Sequence, residues 1–229
     1  MEGYEKAWQV ARQRIADAAR ACGRAPESVR LLAVSKTFPA AAIRAVHALG
    51  QQAFGENYVQ EARAKRDALA DLDIEWHLIG PLQSNKARLA AASFGWIETI
   101  DRPQIAERLS AARAGLPPLD VLIQVNASGE PTKSGVMPAA AVAMAQKVAA
   151  LPNLRLRGIM GIPEATADAS VLRGQFRRLK QCHDACADAG LPVDTLSMGM
   201  SADLEAAIAE GATEVRVGSA IFGARAAKA

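Results

Sequence analysis

The sequence predicts an α/β protein, a single (β/α)8 barrel over residues 1–229 with an extra helix at its N-terminus. Three observations lead there. Eight short aliphatic or β-branched runs alternate with longer amphipathic stretches, the pattern of repeated βα units. No Ser/Gly-rich linker splits the chain, and its 229 residues suit an α/β barrel folded as one unit. An open dinucleotide-binding sheet would want Gly-x-Gly-x-x-Gly after its first strand, where this chain has Ser35-Lys36-Thr37-Phe38-Pro39.

The elements follow in order. Trp8, Val10, Ile15 and Ala18 recur at helical spacing from residue 4 to about 22, and Cys22-Gly23 marks a stop. Strands are expected at 31–35, 52–54, 75–79, 96–100, 119–125, 154–160, 194–198 and 214–217. Helical patterns fall between them near 39–49, 57–70, 83–92, 103–114, 137–150, 168–189 and 202–210, and a short segment from 219 closes the set. Gly50, Gly115, Gly190 and Gly211 stand where helices should end, because glycine takes the left-handed cap conformation without steric cost.

Half of the residues are hydrophobic but only 4% aromatic, so Ala, Val, Leu and Ile must fill the core. The +3 charge balances 27 basic against 24 acidic residues with no basic run, which argues against nucleic-acid or membrane partners. Cys22, Cys182 and Cys186 show no metal-ligand spacing, and Cys182 and Cys186, one helical turn apart, read as buried thiols. No metal is expected. The start Met1-Glu2-Gly3-Tyr4-Glu5-Lys6 lacks a secretory apolar stretch, and no run approaches the ~20 apolar residues of a membrane span. A reducing cytoplasm is the expected location.

Barrel chemistry gathers at the C-terminal ends of the strands. Lys36 ends the first strand, where partial desolvation would disfavour its ammonium form and free the amine for imine chemistry; a solvated lysine is the plain alternative. Loops after strands seven and eight often build a phosphate site in this fold. Here they carry Ser201, placed to cap the helix 202–210, and Gly218-Ser219 at the start of the last helical segment. Either serine alone is a commonplace cap; paired in adjacent loops they suggest an anion cradle. Arg216 alternates with Val215 and Val217, so if the valines face the helices it points inward, with Glu214 as a possible structural partner.

Together these residues resemble the YggS/PROSC family of pyridoxal-phosphate-binding homeostasis proteins, nearly end to end. The segments that carry the resemblance are Ala33-Val34-Ser35-Lys36-Thr37, Phe54-Gly55-Glu56-Asn57-Tyr58-Val59-Gln60-Glu61 and Trp76-His77-Leu78-Ile79-Gly80 with Gln83-Ser84-Asn85-Lys86. Ser197-Met198-Gly199-Met200-Ser201, Val215-Arg216-Val217-Gly218 and Ile221-Phe222-Gly223 complete it. Ser219, Val217 and Leu78 stand where the family commonly has Thr, Ile and Phe, and Ser219 keeps the hydroxyl.

The resemblance implies a TIM barrel of alanine racemase N-terminal-domain type that holds pyridoxal 5′-phosphate (PLP) as a Schiff base on Lys36. It places Ser201, Gly218 and Ser219 around the phosphate and Arg216 opposite the pyridine nitrogen, with Asn57 and His77 lining the pocket. His77 has the alternative reading of a satisfied interior histidine. Lys133, in the segment 125–135 that also resembles the family, reads as a solvated loop lysine.

An Arg offers only donors, so it would keep the pyridine nitrogen unprotonated and make the cofactor a weaker electron sink. No second domain carrying a racemase base is expected after the eighth unit. The expectation is a monomeric carrier or buffer of PLP that passes it to apo-enzymes and turns over no substrate. An amino-acid racemase and a cofactor-free Schiff-base aldolase are the rival readings.

Overall fold

A computed structural model describes residues 2–130 and 133–224. Eight parallel strands close into a barrel in sequence order, from β1 (Arg30–Val34) through β2 (Ala53–Glu56), β3 (Glu75–Leu78) and β4 (Trp96–Ile100). β5 (Leu119–Val125), β6 (Leu154–Gly161), β7 (Thr195–Met200) and β8 (Glu214–Val217) complete it, β8 pairing with β1 through Arg30↔Glu214 and Leu32↔Arg216. The helices are α1 (Glu2–Ala21), α2 (Ala40–His47), α3 (Val59–Ala68), α4 (Ala87–Ser93), α5 (Pro103–Ala112), α6 (Ala141–Ala149), α7 (Ala169–Asp188), α8 (Leu204–Ala209) and α9 (Ser219–Phe222).

The eight expected strands are all present, and the four helix-ending glycines have φ between +76° and +102°. Several boundaries shifted by a few residues, and two of the shifts have clear physical reasons. β2 runs on through Gly55-Glu56, since the Glu56 carboxylate is carried inside by an ion pair. α8 begins at Leu204 rather than 202, so Ser201 is not its cap: Asp203 occupies that position, its Oδ1 accepting the Met200 N–H at 2.5 Å.

Side-chain alternation sorts each strand into two layers. Residues such as Phe54, Ile97, Val121, Val215 and Val217 face outward and join Ile43, Ile105, Leu109 and Phe176 in one large apolar core between strands and helices. The opposite parity faces the lumen, where Trp96, Leu122 and Met160 form a small separate cluster. Cys182 and Cys186 are buried in α7. No described helix is long and apolar enough to cross a membrane.

Candidate functional site

Lys36 follows β1 with the parity of Leu32 and Val34, and both Val34 and Lys36 line a cavity of about 270 Å³ at the C-terminal mouth of the barrel. Asn57 and Ile79 close one side, while Ser201, Gly218 and Ser219 close the other with Arg216. The lysine and the two serine loops therefore share one opening. The volume lies near the lower end of small-molecule sites, roughly 300 Å³.

The turn that carries Lys36 is held from below. Thr37 adopts φ 70°, and its N–H donates to Glu61 Oε1 at 2.6 Å. Buried Lys65 donates to the Ser35 carbonyl (2.9 Å), to Glu56 Oε1 (2.7 Å) and to Glu61 Oε1 (2.7 Å), while Ser35 Oγ donates to Glu56 at 2.6 Å. Burial raises the Glu56 pKa and the ammonium of Lys65 opposes that shift. The result is a clamp that ties both flanks of Lys36 to β2 and α3.

The opposite wall is braced by α1. Arg14 donates to the Ser201 carbonyl at 3.1 Å while its other nitrogens bind Glu205 at 2.8 and 2.9 Å. Phe222 of α9 stacks on Phe38 beside the lysine turn, centroids 5.1 Å apart, and meets Tyr4 edge-on at 6.1 Å. One ring thus joins the two ends of the site. Gly218 sits tight against β1, since a Cβ there would come within 3.2 Å of the Val34 carbonyl oxygen. Gly80 allows a still closer approach, because its Cβ would lie 2.2 Å from the Asn57 carbonyl oxygen.

Arg216 is 4% exposed and turned inward. Its Nη1 donates to the Ser197 carbonyl (2.8 Å) and Oγ (2.7 Å), and Nη2 donates to the Gly161 carbonyl at 2.8 Å. Glu214, a possible partner from sequence, makes no hydrogen bond to it: both Glu214 oxygens are buried without a hydrogen-bond partner among the described residues. Backbone carbonyls and a hydroxyl fix the guanidinium, and the Glu214 and Glu98 charges act on it only at longer range.

His77 does not line the cavity. It lies deeper in the lumen, fully buried and stacked on Trp96 at 4.9 Å. Its Nε2 meets Glu75 Oε1 and its Nδ1 meets Glu98 Oε1, each at 2.7 Å, so both nitrogens donate and the ring is an imidazolium. Burial alone would lower its pKa, but the two carboxylates outweigh burial and push it up to about 9. Ser197 Oγ donates to Glu98 Oε2 at 2.7 Å, which completes a chain Arg30–Glu75–His77–Glu98–Ser197–Arg216 from the barrel floor to the cavity. Burial, reinforced by the Glu98 charge, raises Glu214 to about 7.

His77, Glu98 and Glu214 also offer ligand atoms within 4.8 Å of one another, but both imidazole nitrogens are already committed to carboxylates. Lys133 pairs with Glu130 at 3.2 Å and is not part of the cavity wall. The clamp lysine Lys65 and the bonds that link the lumen chain escaped the sequence reading, and Phe222 entered it only as part of a family segment. Only Glu61, four residues from Lys65 on one helix, gave a local sign of any of them.

The match to known proteins is long. Residues 10–226 fit the model of the alanine racemase N-terminal domain. The chain is 58% identical over 213 residues to the pyridoxal phosphate homeostasis protein of Pseudomonas aeruginosa, covering 93% of this chain and 91% of that one. It is 54% identical to the protein of the same name from Escherichia coli K12, with 93% of each covered. The structure of PipY from Synechococcus elongatus with PLP bound superposes with a TM-score of 0.81 at 41% identity, over 91% of this chain and 100% of PipY. A barrel of this topology, matched along almost its whole length, belongs to the alanine racemase N-terminal-domain family and, within it, to the pyridoxal phosphate homeostasis proteins.

Proposed function

We propose that this protein binds PLP as a Schiff base on Lys36 and buffers or carries it in the cytoplasm for PLP-dependent apo-enzymes. It would act as a single monomeric barrel without catalytic turnover. One observation carries the reading: an amine, Lys36, and an anion cradle, Ser201, Gly218 and Ser219, line one cavity together with Arg216. The residues fit the ligand's chemistry, an aldehyde for the amine at one end and a phosphate for hydroxyls and N–H donors at the other. The names of the relatives and the PLP in PipY support the same ligand.

Bound PLP supplies an electrophilic carbon and, where its ring nitrogen is protonated, an electron sink. This chain supplies the rest. The clamp through Lys65 and Glu61 orients the Lys36 turn, and Ser201 and Ser219 offer hydroxyls to the phosphate. Arg216, held as a donor by Ser197 and Gly161, would leave the ring nitrogen unprotonated, which weakens the sink and suits storage over turnover.

Absorbance of the purified protein tests the reading, followed by borohydride reduction and peptide mapping. A visible band that becomes a reduced adduct on Lys36, and its loss in Lys36→Ala, is the expected result. An adduct on another lysine would overturn the assignment. Exchange of amino-acid α-protons in deuterated water would overturn the absence of turnover.

A further inference from the structure

The two motif segments 57–61 and 79–86 contribute only Asn57 and Ile79 to the cavity described above. Several of their other residues wall a second cavity, about 370 Å³, that adjoins the first through Asn57. Beside Asn57 and Ser134, its polar lining includes Gln60, Gln83, Lys86, Asp101 and Arg102. Arg102 is already satisfied, donating to Asp101 Oδ1 at 2.8 Å and to the Leu82 carbonyl at 3.1 Å. Lys86 is half-buried on the 3₁₀ turn before α4 and has no ion pair among the described residues. Two cations against one carboxylate leave the cavity with one uncompensated positive charge.

We infer that this second cavity binds the carboxylate of a small amino acid, with Lys86 as counter-ion, so that the amine faces the cofactor cavity across Asn57. The inference rests on the proposed Schiff base at Lys36. One uncompensated ammonium flanked by amides and by the hydroxyl residues Tyr58 and Ser134 matches a monoanion in charge, whereas a phosphate dianion would leave one negative charge unmatched here. An amine seated here has one reaction open to it. Its lone pair adds to the imine carbon, two protons pass from it to the Lys36 nitrogen, and the carbon–Lys36 bond breaks. Lys36 is regenerated as an amine, the cofactor leaves joined to the amino acid, and nothing is oxidised or reduced. Release would then answer to amino-acid supply.

The test follows decay of the bound visible band in PLP-loaded protein after adding glycine or methylamine at equal free-base concentration. Glycine should accelerate release about fivefold beyond its amine reactivity, the size of one half-exposed ion pair. Lys86→Gln should erase that advantage while leaving methylamine exchange and PLP affinity unchanged. Equal rates with the two amines, or an advantage that survives Lys86→Gln, would overturn the inference. Nitrogen-15 NMR of the PLP-free protein titrated with N-acetylglycine reads the anion site without the cofactor. Shifts at residues 57–60 and 83–86 in the wild type, lost in Lys86→Gln, are expected; their absence from the wild type sinks the site. A protein with no visible band but with these shifts would instead refute the Schiff base.

Discussion

This barrel has two interiors built from opposite chemistry. The layer between strands and helices is aliphatic and aromatic, with Ile43, Phe54, Ile105 and Phe176 fully buried. The lumen holds Trp96, Leu122 and Met160 beside an unbroken line of charged and hydroxyl groups from Arg30 to Arg216. Apolar burial drives folding and is indifferent to direction. A buried ionic chain gains little net stability after desolvation but fixes where each donor points. The outer layer therefore holds the fold together, and the lumen aims Arg216 at the cavity floor. The Glu56–Lys65 ion pair breaks that pattern in the outer layer, and it lies under the Lys36 turn.

The sharpest way to break the comparison is to remove the exception. Lys65→Met leaves the Glu56 carboxylate buried without its cation, a loss of about 3–5 kcal/mol in urea unfolding. Adding Glu56→Gln should recover much of that, because the uncompensated charge disappears. The double variant would still lack the Lys65 bond to the Ser35 carbonyl, so its Lys36 turn should stay loose even where the fold is restored.

The lumen should reveal itself through pH. His77 is raised to about 9 from an ordinary 6.5, so its contribution is complete below pH 6.5 and lost as pH rises through 9. Glu214 is raised to about 7 from 4.5, so the folded state takes up its proton first and stability falls between pH 4.5 and 7. Both act in the same direction. Urea midpoints should drop from pH 5 to pH 9, by on the order of 3 kcal/mol for a single group shifted about two units. Glu214→Gln should flatten the pH 5–7 part of the profile and, because the Glu214 charge helps to raise His77, move the His77 part to lower pH. A flat wild-type profile would show that the lumen carboxylates reorganise on titration.

At the mouth the expected effects are smaller. Ser201→Ala and Ser219→Ala should each weaken PLP retention by ~1 kcal/mol, read as a faster loss of the visible band on dialysis. Unfolding midpoints should barely move, since both side chains are partly exposed.

Local signals made the frame legible. β8 appears at its expected residues 214–217, and the inward turn of Arg216 follows from its two flanking valines. The lumen chain was not legible, because its decisive bonds join distant residues: Ser197 and Glu98 are 99 positions apart, and nothing near either names the other. Glu56 misled for a related reason. A charged residue after Gly55 reads as loop until Lys65, nine residues on, supplies its partner. The start of α8 differed because the chain turns through 201–203 before the helix begins, with the Asp203 carboxylate accepting the Met200 N–H rather than capping the helix.

Arg14 offers the finest test, because one guanidinium serves both a surface ion pair and the cavity rim. Its pair with Glu205 is largely exposed, so Arg14→Ala should cost less than ~1 kcal/mol of stability. Glu205→Gln removes the opposite charge but keeps the length of the side chain, leaving Arg14 able to hold the Ser201 carbonyl. If the β7–α8 loop is braced by that carbonyl contact, Arg14→Ala should speed PLP loss and Glu205→Gln should not. Equal loss in both variants would show that the ion pair, rather than the bond to Ser201, keeps this loop in place.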